Sequence, residues 1–283
     1  MIIVQMSGGL GNQMFQYALY KQLVAMGKTV RMDDMSCYQD AGSRPKQIGI
    51  FPILYERASK EELIALTDAS MKLQDRIRRK LTGRKTKSYP EKQFHYDPAV
   101  LQLEDAYLEG CWQSEKYFMD VKDVLRDEFI FPEPEDAMNK KFLEQIKGTN
   151  AVGVHIRRGD YLLPKYRSLY EGICTEDYYK RAIALMKEMQ PDCHFFIFSN
   201  DVTWAKGQYQ EPEYTVIDCN DEANGHYDMM LLSRCRHQII ANSSFSWWSA
   251  WLNLNPEKKV IAPAKWLNHK DSRDIYTDWM LAI

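Results

Sequence analysis

No Asp-x-Asp pair occurs in the 283 residues, so the usual carboxylate pair for a metal–nucleotide complex is missing. No apolar run reaches the ~18 residues needed to span a bilayer. Met1-Ile2-Ile3-Val4 is too short for a signal-peptide core and lacks a cleavage site. A cytoplasmic protein is therefore expected. The six cysteines (37, 111, 174, 193, 219 and 235) contain no Cys-x-x-Cys pair, which points to reduced thiols rather than a disulfide framework. Cys235-Arg236-His237 and Cys193-His194 are too sparse to specify a metal centre, and no metal site is expected. A formal net charge of −2 gives no overall drive toward nucleic acid. Neither an internal repeat nor a low-complexity tract breaks the chain.

What is present is ordinary globular composition: 45% hydrophobic and 27% charged, with a generous 12% aromatic. The length fits one large domain or two of ordinary size. Ile2–Met6 reads as a strand, Ser7-Gly8-Gly9-Leu10-Gly11-Asn12-Gln13 as a glycine-rich turn, Met14–Met26 as a helix and Thr29–Met32 as a second strand, which together make a βαβ unit. Ser59 and Glu62 form a capping-box pattern for a helix running to about residue 69. Irregular sequence around Phe131–Glu135, followed by a helix of about 138–147, marks a linker zone. Beyond it, strands at 151–156, 194–199, 214–218, 238–241 and 259–262 alternate with helices near 175–190, 201–207, 226–235 and 246–254. Such alternation argues for an α/β fold with a mostly parallel sheet. Domains are expected at 1–148 and 149–265, with 266–283 as a tail packing back on the N-terminal domain.

Three segments could carry chemistry. His155-Ile156-Arg157-Arg158-Gly159-Asp160-Tyr161 follows a short apolar strand and sets two guanidiniums and an imidazole at its carboxyl end. Ligands sit there in open α/β sheets, and an Arg fork grips phosphate bidentately without losing its charge. A solvated basic turn is the plain alternative. The loop Gly8–Gln13 opens a helix and could cradle an anion, with Gly9, Gly11 and the amides of Asn12 and Gln13 near the ligand. No Gly-Lys-Ser/Thr closes that loop, so it is not a P-loop. As a dinucleotide fingerprint it lacks the third glycine, since Met14 stands there, although Asp33 and Asp34 mimic the ribose-binding acid. The third segment, Asn242-Ser243-Ser244-Phe245-Ser246-Trp247-Trp248-Ser249, starts a helix with several hydroxyls and an amide. Phe245 could stack on a flat ring, while Trp247, Trp248 and Trp251 read as core. Asp228, in the first turn of the preceding helix, could accept two hydrogens from the N1–N2 edge of guanine or simply complement the helix dipole.

Together these segments resemble the bacterial α-1,2-fucosyltransferases. The likeness is carried by Gly8–Tyr17, His155–Tyr161 and Asn242–Ser249, and is extended by Phe198-Ser199-Asn200-Asp201 and by Asp274-Ile275-Tyr276 with Trp279. It implies a GT-B-like fold of two Rossmann-like α/β domains with a cleft between them. It also implies inverting, metal-independent transfer of L-fucose from GDP-β-L-fucose, with no cofactor, to the 2-hydroxyl of a galactose-terminated glycan such as O-antigen. By similarity, Arg157 would hold the β-phosphate and His155 would contact the nucleotide. Arg158 would add a second cation, Asp228 would read guanine, and Asn242, Ser243, Ser244 and Phe245 would line the pocket. Asn12 would approach phosphate or fucose from the other domain. The α-1,6-fucosyltransferases carry a Glu downstream of their Arg motif, but the matching position here is Lys165. The acceptor base is thus left to Asp160, which could equally be a clamp on Arg157 or Arg158.

Two rivals share the same residues. One is a transferase for another GDP-sugar or linkage; the other is a dinucleotide-dependent oxidoreductase built on the first βαβ unit. Finally, residues 72–92 hold nine basic residues against two acids. That stretch is either a solvated face or a patch touching the inner membrane or a lipid-linked acceptor.

Overall fold

Two seven-residue strands, each largely apolar, make the centre of a six-stranded sheet. Ala151 to Ile156 in β5 (Asn150–Ile156) and Phe195 to Ser199 in β6 (Cys193–Ser199) are buried without alternation, the pattern of parallel strands covered on both faces. The computed structural model describes residues 1–39, 44–158 and 164–283. It divides into two units, Met1–Ile130 and Phe131–Ile283.

The first unit contains β1 (Ile2–Gln5), α1 (Leu10–Ala25), β2 (Val30–Asp33), α2 (Lys60–Thr67), α3 (Leu73–Thr82), β3 (Ser88–Pro90), β4 (Ala106–Glu109) and α4 (Lys122–Glu128). Its sheet runs β2-β1-β4-β3, all parallel. The capping box that starts α2 is present: Ser59 Oγ accepts from the Glu62 amide, and the Glu62 carboxylate accepts from the Ser59 amide at 2.7 Å.

The second unit contains α5 (Ala137–Lys147), β5, α6 (Pro164–Tyr170), α7 (Glu176–Met189), β6, α8 (Val202–Gln208), β7 (Tyr214–Ile217), α9 (Gly225–Arg234), β8 (His237–Ile239), α10 (Ser244–Leu252), β9 (Val260–Ala262) and β10 (Met280–Ala282). Its six-stranded sheet runs β10-β9-β8-β5-β6-β7 and is parallel throughout. The chain leaves β5, builds β6 and β7 on one side, then crosses over to lay β8, β9 and β10 on the other. The order therefore reverses between β5 and β8.

Two expectations about domains are corrected. The division falls at the Phe131–Glu135 irregularity itself, not at 148/149. Helix α5 belongs to the second unit because it packs on α9, and its Asn139 side chain exchanges hydrogen bonds of 2.8 and 2.9 Å with Asn220. Residues 266–283, expected to pack on the N-terminal domain, instead complete the second sheet. Met280–Ala282 pairs with Val260–Ala262, Trp279 packs beside Trp247, and the Trp247 indole donates to the Ile275 carbonyl at 2.8 Å. Elements α3, β3, α4, α6 and β10 went unforeseen. Each is short or, in the case of α3, dominated by charge.

Gly153 in β5 is required by close approach. A Cβ there would lie 2.3 Å from Leu232 Cδ1 of α9 and 3.1 Å from Cys235 Sγ, both in fully buried residues. Gly153→Ala is expected to destabilise the protein by about 1–3 kcal/mol through overpacking. Urea denaturation of the variant measures this, and an unchanged midpoint would show that α9 yields freely.

Candidate active site

The carboxyl ends of β5, β6 and β8 bring the second-unit residues together. In the register, His155 lies opposite Phe198 and Ile156 opposite Ser199, while Val154 pairs with Ile239. Arg157 and Arg158 therefore leave β5 level with Asn200 and Asp201 leaving β6. Asn242–Phe245 leave β8 on the other side. A strand-order reversal is where open α/β sheets form a ligand crevice, and a direct contact spans it: the His155 and Phe245 rings stack at 5.2 Å and 30°.

His155, expected to contact the nucleotide, is an uncharged imidazole. Its side chain is buried, the Tyr179 hydroxyl donates to its carbonyl at 3.1 Å, and Nδ1 has no partner among the described residues. Burial, reinforced by the Arg157 charge, pushes its pKa down to about 3, so the imidazole is neutral at physiological pH. Its ring backs that of Phe245. Arg158 is also not an open phosphate fork. Its amide donates to Asn200 Oδ1 at 2.9 Å, its Nε pairs with Asp201 at 3.3 Å, and its guanidinium lies 4.1 Å over the Trp204 ring. At a partly exposed site, an ion pair or a cation–π contact is worth only about 0.5–1 kcal/mol. Acting together, they fix the side chain's direction. The clamp on Arg158 is therefore Asp201; Asp160 lies outside the described residues. Arg157 is partly buried at the mouth of β5.

On α10, Ser243 stands at the N-cap but makes no side-chain capping bond. Its hydroxyl is thus not used in the way an ordinary cap would use it. Ser246 bonds back to the Ala241 and Ser243 carbonyls, and Ser249 to the Ser246 carbonyl. These two serines serve the helix. Ser244 and Phe245 are partly exposed at its start. Asn242, expected to line the pocket, is 2% exposed and structural: its amide donates to the Trp266 carbonyl at 2.9 Å and accepts from the Cys174 thiol at 3.3 Å. Trp247, Trp248 and Trp251 are core, as expected.

Asp228 sits in the first turn of α9 and accepts from Asn220 Nδ2 at 2.7 Å. Asn220 is held in turn by Asn139, and Asn139 by the Asp136 carboxylate at 2.9 Å. Burial pushes the Asp228 pKa up to about 6, against the Asn220 hydrogen bond, which lowers it. Neither Asn220 nor Asn139 was identified from the sequence, because nothing local to either residue marks it as a bracket.

In the first unit, Gly8 has φ +75°, and a Cβ there would sit 2.7 Å from Asn12 Nδ2. Gly9 is the N-cap of α1, with no side-chain cap bond, and Gly11 is buried in its first turn. Asn12 is partly exposed and accepts from Gln113 at 2.8 Å. Gln13, expected to meet a ligand, instead ties the loop. It donates to the Gly8 and Pro45 carbonyls and accepts from the Gln47 and Ile48 amides, all within 2.8–3.0 Å.

Comparison with known proteins decides the family. Residues 86–280 match the model of glycosyl transferase family 11. The chain is 32% identical to the O-antigen biosynthesis glycosyltransferase WbnK of Escherichia coli, over 92% of this chain and 93% of that protein. It is 31% identical to an α-1,2-colitosyltransferase of Escherichia coli, over 95% and 93%. It is also 26% identical to galactoside α-(1,2)-fucosyltransferase 1 of Alouatta belzebul, over 53% and 44%. The chain belongs to glycosyl transferase family 11.

For a family 11 glycosyltransferase, the first βαβ unit is not a dinucleotide site, and its acids show why. Asp33 accepts from the Met35 and Ser36 amides and from the Tyr107 hydroxyl at 2.7 Å. Asp34 accepts from Lys46 at 2.7 Å and Tyr55 at 2.8 Å, and pairs with Arg57 at 3.1 Å. Both are nearly inaccessible, 2% and 3% exposed, so neither is open to a ribose hydroxyl.

Asp228 carries a stability prediction. Its native pKa of about 6 lies above the ordinary carboxylate value of 3.8. The folded state thus binds the proton more tightly, and stability falls as pH rises from about 4 to 6. Asp228→Asn is expected to raise the melting temperature at pH 7.5, with the gain disappearing near pH 4. Thermal melts across that range check it; a gain independent of pH would show that the carboxylate is not strained by burial.

Proposed function

We propose that this glycosyltransferase moves L-fucose from GDP-β-L-fucose to the 2-hydroxyl of a terminal galactoside in O-antigen or a related surface glycan, with inversion and without a metal ion or cofactor. The observation that carries the reading is the place of Arg157, at the carboxyl end of β5 where the strand order reverses. The names of the relatives support an α-1,2 linkage and an O-antigen setting.

In this reading the acceptor 2-hydroxyl oxygen attacks the anomeric carbon of fucose. The C1–O bond to phosphate breaks, its electron pair leaves with GDP, and the acceptor proton passes to a base, for which Asp160 is the candidate. The guanidinium of Arg157 meets charge growing on the β-phosphate, a preorganised cation aimed at the leaving group. Amides at the start of α10, with Ser243 and Ser244, add dipoles to the same phosphate. Phe245, backed by His155, faces the nucleotide, and Asp228 accepts from guanine N1–H and N2–H. Asn12, Gly9 and Gly11 are the further residues assigned to donor contact in this reading. A cytoplasmic location, peripheral to the inner face of the plasma membrane, fits such a substrate.

A second reading, transfer of a different GDP-sugar, is favoured by the 31% identity to a colitosyltransferase over nearly the whole chain. GDP release measured with GDP-fucose, GDP-colitose and GDP-mannose, against galactose-terminated acceptors and with EDTA present, separates the two. The proposal expects fucose transfer to persist in EDTA, with product NMR showing an α-1,2 linkage. Preference for another donor, or abolition by EDTA, overturns it.

Two variants probe the roles. Arg157→Ala is expected to lower kcat about 10²–10³-fold, and Arg157→Lys to recover little because the fork is lost. Near-normal turnover in the alanine variant would remove Arg157 from the mechanism. If Asp228 reads guanine as a carboxylate, GDP affinity weakens as pH falls through about 6, by up to about tenfold per pH unit. Calorimetry of wild type against Asp228→Asn tests this: the variant should bind weakly with a flat profile, and a flat wild-type profile would reassign Asp228.

A further inference from the structure

Helix α3 is turned inside out. Leu73, Ile77 and Leu81 recur every four residues and form one stripe along it. They are 69%, 51% and 79% exposed, and Met71 just before the helix is 79% exposed. A surface helix ordinarily buries such a stripe; α3 buries no residue at all. Its polar side does the attaching. The Arg78 guanidinium pairs with the Asp68 carboxylate, Arg79 donates to the Asp68 and Ser70 carbonyls, and Asp75 accepts from the Ser70 hydroxyl. Asp68 is placed for this by its left-handed backbone, φ 52°, at the end of α2, and it also accepts from the Lys85 amide at 2.8 Å. At about 100° per residue, Asp75 and Arg79 lie opposite the apolar stripe and Arg78 lies on its flank.

The stripe has a basic border. Arg76 and Lys80 on the helix are exposed, as are Lys72 just before it and Arg84 and Lys85 just beyond it, while Lys87 pairs with Asp105 at 2.9 Å. The helix's one acid, Asp75, lies on the attached side. An outward apolar row edged by cations combines two attractions: burial of Leu and Ile at the acyl boundary, and Coulomb attraction to anionic head groups. A protein partner has no need of five exposed cations near the row, and a nucleic acid has no use for the leucines.

We propose that α3 is a membrane-surface helix whose Leu73–Ile77–Leu81 stripe enters the head-group boundary of an anionic phospholipid leaflet while the flanking lysines and arginines meet its phosphates. This gives the peripheral location a structural device. It is independent of the donor and acceptor, because the helix contributes no residue to the candidate site.

The test uses the full chain without sugar substrates. Vesicles of phosphatidylcholine, alone or with about one-third phosphatidylglycerol, are sedimented with wild type, with Leu73→Ser/Ile77→Ser/Leu81→Ser and with Lys72→Gln/Arg76→Gln/Lys80→Gln. Wild type should partition to the anionic vesicles and release as salt shortens the Debye length. Both triple variants should partition about tenfold more weakly or worse. An Ile77→Trp variant should shift its emission to the blue on anionic vesicles only, a readout that does not depend on the serine variant folding. Absent binding by wild type, an unshifted Ile77→Trp spectrum, or serine variants that bind like wild type overturn the proposal. A stable dimer that dissociates in the serine variant, without lipid binding by wild type, would show that a second copy covers the stripe instead.

Discussion

The candidate site depends on β5 lying between β6 and β8. That single neighbour relation places the Arg157 turn, the Asn200–Asp201 turn and the start of α10 at one sheet edge, although they are separated by tens of residues in sequence. Gly153 permits it, because α9 comes so close to β5 there that a methyl group would meet Leu232. The same helix carries Asp228 in its first turn. Strand order, helix approach and the position of a strained carboxylate are thus one packing problem, not three.

Within each unit the polar residues divide sharply by task. Asn242, Gln13, Asp33 and Asp34 have their hydrogen-bonding capacity taken up by the protein's own backbone and side chains, and they are nearly or fully inaccessible. A buried polar group left without a partner costs about 1–3 kcal/mol, so such residues are first of all scaffolding. Asp228 differs in kind. It is kept in surroundings that disfavour its charge and is braced by Asn220, which Asn139 holds in turn. Perturbed carboxylates retained in this way cluster at functional sites.

Much of this was legible in the sequence, for identifiable reasons. Apolar runs bounded by turn residues located β5 and β6, and Ser59 with Glu62 announced α2, because those signals are local and strong. Three tryptophans after a serine-rich start read correctly as core. What could not be read was which polar residue faces inward. His155 and Arg158 stand in the same heptapeptide as Arg157, yet one is neutralised by burial and the other is captured by Asp201 and Trp204 from the next strand's turn. The tail failed for the same reason. Met280–Ala282 is too short to announce a strand and becomes one only because β9 offers an open edge. In α3 the period was present, but a basic composition hid it, and periodicity alone never says which face meets water.

The reassignment of His155 and Arg158 sharpens the chemistry required of the remaining groups. With the imidazole uncharged and one guanidinium held by a carboxylate, the proposed departing diphosphate has Arg157 as its principal fixed cation from this edge, supplemented by helix-terminal amides. Such amides carry only about half a charge per helix end, but they need no reorganisation as charge develops. Arg158, stacked on Trp204, then has a different use. It pairs with Asp201 and so offsets that carboxylate's charge. The Arg-Arg pair is thus asymmetric: Arg158 is held by Asp201 and Trp204, while Arg157 is the one assigned to the substrate in the proposed reaction.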